Sequence, residues 1–101
     1  MPKITVEMSS QLSPDQTFEK LKTLFETDTD LKKLDSSYIC QFNSASRSGT
    51  AKGNKFSAAM SIADKGNSSQ LSLNVDIPFL FSPFKGMIQE ILQKKLKKVL
   101  G

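Results

Sequence analysis

Between Leu71 and Leu100 the chain changes its hydrophobic period once, and that change constrains the fold more than any other feature. Leu71, Leu73, Val75 and Ile77 alternate with Ser72, Asn74 and Asp76, the period of two that gives a strand one apolar and one wet face. Beyond Pro78 a helical spacing takes over at Phe84, Met87, Ile88, Ile91, Leu92, Leu96 and Val99. Ser82-Pro83 offers a cap followed by a first-turn proline and predicts a helix over residues 83–100. Three of the seven phenylalanines, Phe79, Phe81 and Phe84, fall in this joint between strand and helix. A strand with one polar face that delivers directly into an amphipathic helix implies an antiparallel sheet with helices on one side only.

The upstream chain fits that frame. Ile4, Val6 and Met8 alternate with Lys3, Thr5 and Glu7 and predict a first strand. Ser13, Pro14 and Gln16 then combine an N-cap, a first-turn proline and a capping box. Phe18, Leu21, Leu24 and Phe25 form the apolar stripe of the helix they open. Thr27-Asp28-Thr29-Asp30 favours local side-chain bonds over helix and should end, bend or restart it before Leu31 and Leu34. Tyr38, Cys40 and Phe42 predict a second strand, and the polar stretch 45–52 a third, edge strand. Gly53-Asn54 suits a turn with positive backbone angles. Phe56, Ala58, Met60 and Ile62 predict a fourth strand, closed by a hairpin at Lys65-Gly66-Asn67 before the fifth. The expected fold is therefore α+β, a single domain over residues 1–101. It has an antiparallel sheet of four to five strands and two helices in the order β-α-β-β-β-β-α, a reduced helix-grip-like arrangement. A groove between the sheet and the last helix should be lined by Met60, Leu73, Phe79, Phe81 and Met87.

Charge is divided unevenly. Residues 1–84 carry nine basic and nine acidic side chains, so the net charge of +4 falls wholly on residues 85–101, with Lys85, Lys94, Lys95, Lys97 and Lys98 against Glu90. Lys95 lies inside the apolar arc of that helix, which implies that its final turns run past the core or meet a partner. No apolar run reaches the roughly 20 residues of a membrane span and the start lacks the apolar core of a secretory signal, so a cytoplasmic protein is expected. The chain has no histidine and one cysteine, Cys40, which removes the usual base near neutral pH and leaves the thiol without an activating partner. Cys40 reads as a structural thiol. Asp28 and Asp30 read as solvated loop charges, and Glu7 and Asp76 fall on polar strand faces. Arg47, Lys52 and Lys55 beside Gly49 and Gly53 match no phosphate-loop spacing. Arg47 is the only arginine, which disfavours sequence-specific nucleic-acid contact. No catalytic constellation, metal-ligand set or cofactor motif emerges, and a non-enzymatic role is expected.

The stretch Ile77 to Gly86, with its Ser82-Pro83-Phe84-Lys85-Gly86 core, resembles the terminal signature of the polyhydroxyalkanoic acid system proteins, small bacterial proteins associated with polyhydroxyalkanoate storage loci. Arg47-Ser48-Gly49 is similar as well. The terminal run Gln93-Lys94-Lys95-Leu96-Lys97-Lys98 departs from that family's mixture of Arg and Glu. The resemblance implies an accessory protein that contacts an apolar polymer or granule surface, with no catalytic residues to carry over. Residues expected at such a contact are Phe79, Phe81, Phe84, Met87, Lys94, Lys95 and Lys98. Two alternatives stay open: a small carrier holding a lipid or other hydrophobic ligand between sheet and C-terminal helix, and a module that forms a homodimer.

Overall fold

A computed structural model describes residues 2–100. Strand β1 (Lys3–Ser10) is followed by helices α1 (Pro14–Thr27) and α2 (Thr29–Leu34). Four strands follow, β2 (Ile39–Asn43), β3 (Ser48–Lys52), β4 (Ser57–Asp64) and β5 (Ser69–Asp76), and then a 3₁₀ turn (Phe79–Phe84) and helix α3 (Lys85–Leu100). The sheet order is β1-β5-β4-β3-β2, antiparallel throughout.

Pairing register makes rows of side chains on the inner face. One runs Val6, Leu73, Met60, Gly49 and Phe42 across all five strands, and the next runs Ile4, Val75, Ala58, Ala51 and Cys40. Because α1 and α3 cover this face, Ile4, Val6, Leu71, Leu73 and Ile77 meet Phe18, Leu21, Leu92 and Leu96 in one core. The opposite face carries Thr5, Glu7, Gln70, Ser72 and Asn74, which bond across the strands, for example Thr5 Oγ1 to Asn74 Oδ1 at 3.0 Å. Gly49 has a packing reason: a Cβ there would lie 2.6 Å from Cδ1 of Phe42, whose ring meets Phe18 edge to face at 6.1 Å.

Helix α1 begins as its sequence predicts. Ser13 Oγ accepts from Gln16 N at 3.2 Å and Gln16 Oε1 accepts from Ser13 N at 3.3 Å, the two halves of a capping box. The polar break also restarts the helix, since Asp28 caps α2 by accepting from Leu31 N at 2.9 Å. The break frees the Phe25 carbonyl of α1, and the Tyr38 hydroxyl donates to it at 2.6 Å.

Four local expectations are corrected. The third strand is no edge strand, since β3 pairs with β2 on one side and with β4 on the other. Ser82 lies inside the 3₁₀ turn rather than capping α3, and it is its carbonyl that accepts from Lys85 N as the turn passes into the helix. Gly53 has no positive φ, whereas Gly66 has φ of 87° in its hairpin turn and Arg47 has φ of 51°. Gly53 is small for another reason: a Cβ there would collide with the Asp35 carboxylate. Asp28 is no solvated loop charge, its side chain being 13% exposed and paired with Lys95.

A buried polar cluster was not foreseen. Ser10, Thr17 and Ser69 are all nearly inaccessible. Thr17 Oγ1 donates to Ser10 Oγ at 2.9 Å and lies 2.7 Å from Ser69 Oγ. Ser69 donates to the Leu12 carbonyl at 3.1 Å, and Leu12 N donates to Ser10 Oγ at 3.1 Å. The hydroxyls thus join β1, α1 and β5 without leaving a buried polar atom unpaired.

Candidate functional site

In the row Val75, Ala58, Ala51, Ala58 offers a methyl group where the neighbouring row carries Met60, and Ala51 offers one beside Gly49, whose space the Phe42 ring takes. The helices bridge this low ground instead of filling it, and a half-open cavity of about 70 Å³ remains between the sheet, α2 and α3. Ala51, Ala58 and Val75 make its floor, Ile88 and Leu92 of α3 one wall, and Leu31 and Leu34 of α2 the other. Phe25, Tyr38, Phe56 and Asp35 complete it. The groove expected between sheet and last helix therefore exists with a different lining. Met60 and Leu73 border only a void of about 10 Å³ beneath Phe42, and Phe79, Phe81 and Met87 lie outside the cavity wall. The residues that create it are the alanines, which carry no sequence signal of their own.

The polar groups at the cavity are already engaged. The Asp35 carboxylate accepts from the Ser37 hydroxyl, from Ser37 N at 3.1 Å, from Lys55 N at 2.8 Å and from Phe56 N at 3.3 Å. The Ser37 hydroxyl and these backbone donors hold its pKa down to about 2 against the opposing effect of burial. Tyr38 spends its hydroxyl on Phe25 O, and burial, with the nearby Cys40 and Asp28, raises its pKa. Burial likewise raises the pKa of the Cys40 thiol, with Glu26 acting in the same direction. That agrees with the structural reading of Cys40 and leaves little reactive thiolate.

The predicted contact residues separate into four groups. Phe79 is 75% exposed, and with Leu80 at 80% it caps an apolar rim that continues through the partly exposed Phe84, Met87 and Ile91. Phe81 turns inward and stacks on Phe56 at 5.7 Å, which ties the 3₁₀ turn to the cavity wall. Lys94 is exposed and pairs with Glu90 at 3.4 Å, and Lys98 lies at the open surface between α3 and α1. Lys95 belongs elsewhere: its Nζ donates to Asp28 at 3.0 Å and to Asp30 at 2.9 Å. Its place on the apolar arc is explained by this internal triad rather than by a helix end beyond the core. Those bonds, Asp30's first, raise the Lys95 pKa. Burial raises that of Asp28, but Leu31 N and Lys95 outweigh it and the net shift is downward.

Arg47 pairs with Asp15 at 2.9 Å. It precedes β3, whereas Lys52 and Lys55 flank that strand's far end, so the three basic side chains do not converge on an anion. Among the described residues no helix is long and apolar enough to cross a membrane.

Neither a family model nor a curated protein matches the chain. Solved structures do. XoxI from Bacillus cereus superposes with a TM-score of 0.69 over 99% of this chain and 94% of that one, at 14% identity. A START superfamily protein from Mycobacterium smegmatis gives 0.54 over 97% and 93%, at 12% identity. The di-domain ARO/CYC BexL from the BE-7585A biosynthetic pathway gives 0.59 over 99% of this chain and 44% of that one, at 7% identity. At such identities the likeness is one of fold, the helix-grip-like α+β arrangement that element order implied.

Proposed function

We propose that the chain binds one aliphatic chain end between its sheet and α3, as a small carrier of a hydrophobic ligand. The observation that carries this reading is the apolar cavity whose neighbouring polar groups are all occupied within the protein. A ligand entering it finds methyl, methylene and aromatic surface but no free donor or acceptor, so hydrocarbon is favoured over a polar head. The size sharpens this. An engineered cavity of about 150 Å³ holds benzene, so about 70 Å³ suits only a few carbon atoms, with the rest of the chain lying along the exposed rim. Binding is favoured over catalysis because Asp35 is held ionised by four bonds and Tyr38 donates to backbone, which leaves neither poised to exchange a proton with a ligand.

Titration with cis-parinaric acid, a fluorescent fatty acid, tests the reading. Saturable uptake is expected for the natural chain, together with its loss in an Ala51→Val/Ala58→Val variant that fills the floor. Equal uptake by both, or none by either, would refute it.

A second reading follows the family resemblance. The exposed Phe79, Leu80 and Phe84 would also suit the surface of a polyester granule. Sedimentation with poly(3-hydroxybutyrate) particles, which should carry down the natural chain but not a Phe79→Ser/Leu80→Ser variant, tests it.

A further inference from the structure

The two edges of α3 are marked by their partners. Lys95 reaches Asp28 and Asp30 beside α2, while Gln89 donates to the Thr5 carbonyl of β1 at 3.4 Å. With about 100° per residue, Met87, Ile91, Lys94 and Lys98 fall on one line beyond the Lys95 edge, at spacings of three and four, and Phe84, the last residue of the 3₁₀ turn, leads into it. All five are exposed. The line is apolar for its first half and basic for its second, and the 3₁₀ turn extends the apolar end with Phe79 and Leu80, the two most exposed large hydrophobic side chains.

We propose that this face docks on an anionic lipid bilayer, with Phe79, Leu80, Phe84 and Met87 entering the interface and Lys94 and Lys98 meeting the headgroups. Charge complementarity selects that occupant. Helix α3 carries five lysines against Glu90; Lys95 is taken up by Asp28 and Asp30, which leaves Lys94 and Lys98 as the basic half of the apolar line, the pairing that interfacial helices use. Glu90 offsets little, because an exposed pair 3.4 Å apart is screened by water. A second copy on this face offers Lys94 and Lys98 only Glu90, which already pairs with Lys94, and a neutral polyester offers the lysines no counter-charge. The inference stands apart from the carrier reading, since docking needs the rim and not the cavity.

Co-sedimentation with vesicles of equal parts phosphatidylglycerol and phosphatidylcholine, against vesicles of phosphatidylcholine alone, tests it. The natural chain should bind the anionic vesicles and leave the neutral ones. A Lys94→Gln/Lys98→Gln variant should bind about 30-fold more weakly, given about 1 kcal/mol per lysine near an anionic surface. Phe79→Ser/Leu80→Ser, which alters only exposed side chains and should fold, is expected to abolish binding, and the cavity-filled Ala51→Val/Ala58→Val chain to retain it. Equal binding to both vesicles, no binding by the natural chain, or unchanged binding by the glutamine variant would overturn the proposal. So would loss of binding in the cavity-filled chain. A lipid-free dimer that the Phe79→Ser/Leu80→Ser variant converts to monomer would assign the face to self-association instead.

Discussion

Substituting Ala58 by valine reads the cavity directly. Ala58 lies in β4 between Ala51 and Val75, and its methyl group forms part of the cavity floor. A β-branched side chain suits a strand, so the backbone should accept the change. Valine adds two methyl-sized groups, which at about 0.8 kcal/mol per buried methylene gives about 1.6 kcal/mol. Fixing a short side chain takes back roughly 0.5 kcal/mol. The cavity sets an independent ceiling, because about 70 Å³ at about 24 cal/mol per Å³ is about 1.7 kcal/mol. A net gain of about 1 kcal/mol is expected, which for a chain of this size raises Tm by about 4–8 °C. Urea unfolding with an unchanged slope would show that the native state, and not the unfolded one, is responsible. A loss of 1 kcal/mol or more would mean that the walls cannot accept added volume, which would refute a preformed space over the alanine row.

Other substitutions address the polar contacts. Thr17→Val keeps the shape but leaves the Ser10 and Ser69 hydroxyls without their shared partner. It should cost about 1–2 kcal/mol in urea unfolding. Lys95→Met leaves the mostly buried Asp28 without its counter-charge and should cost about 1 kcal/mol. A double-mutant cycle with Asp28→Asn should recover part of that cost, and simple additivity would deny the coupling. Asp35 has a depressed pKa, about 2 in the folded chain against about 3.9 unfolded. Its contribution is therefore fully present above pH 4 and lost as pH falls toward 2. Asp35→Asn should lower stability at pH 7 and flatten its decline between pH 4 and pH 2, and parallel acid-unfolding curves for the two chains would contradict this.

Elements whose signal is local were legible in the sequence. Ser13, Pro14 and Gln16 state their own helix start, and the alternation from Leu71 to Ile77 states its own strand, because cap geometry and strand period depend on neighbours a few residues away. Ser82-Pro83 shows where that logic stops. The same two residues that open α1 open nothing at α3, since the chain leaving Pro78 is already turning in a 3₁₀ geometry and a first-turn proline suits that turn equally. Gly53 and Lys95 went astray for a shared reason. One is small because of Asp35, and the other sits on an apolar arc because of Asp28 and Asp30, partners 18 and about 65 residues away along the chain. The cavity was the least legible of all. It arises where Ala51, Ala58 and Cys40 share a row, an adjacency that exists only once the strand register is set.

The two ends of that cavity are built with different strengths, and this bears on how a ligand longer than a few carbons could be held. At one end the Asp35 carboxylate bonds Ser37 of the α2–β2 connection together with Lys55 and Phe56 of the β3–β4 hairpin, so charge-assisted bonds lock two loops together with no room for a side chain on Gly53. At the other side stands α2, a helix of six residues with no buried side chain, tied to α3 through the Lys95 triad. Local opening follows the weakest packing. The cavity should therefore widen at α2, toward the exposed rim of Phe84, Met87 and Ile91, and not at the hairpin. That direction joins the apolar interior to the apolar surface, so a chain end inside and a chain body lying along the rim would occupy one continuous hydrocarbon path.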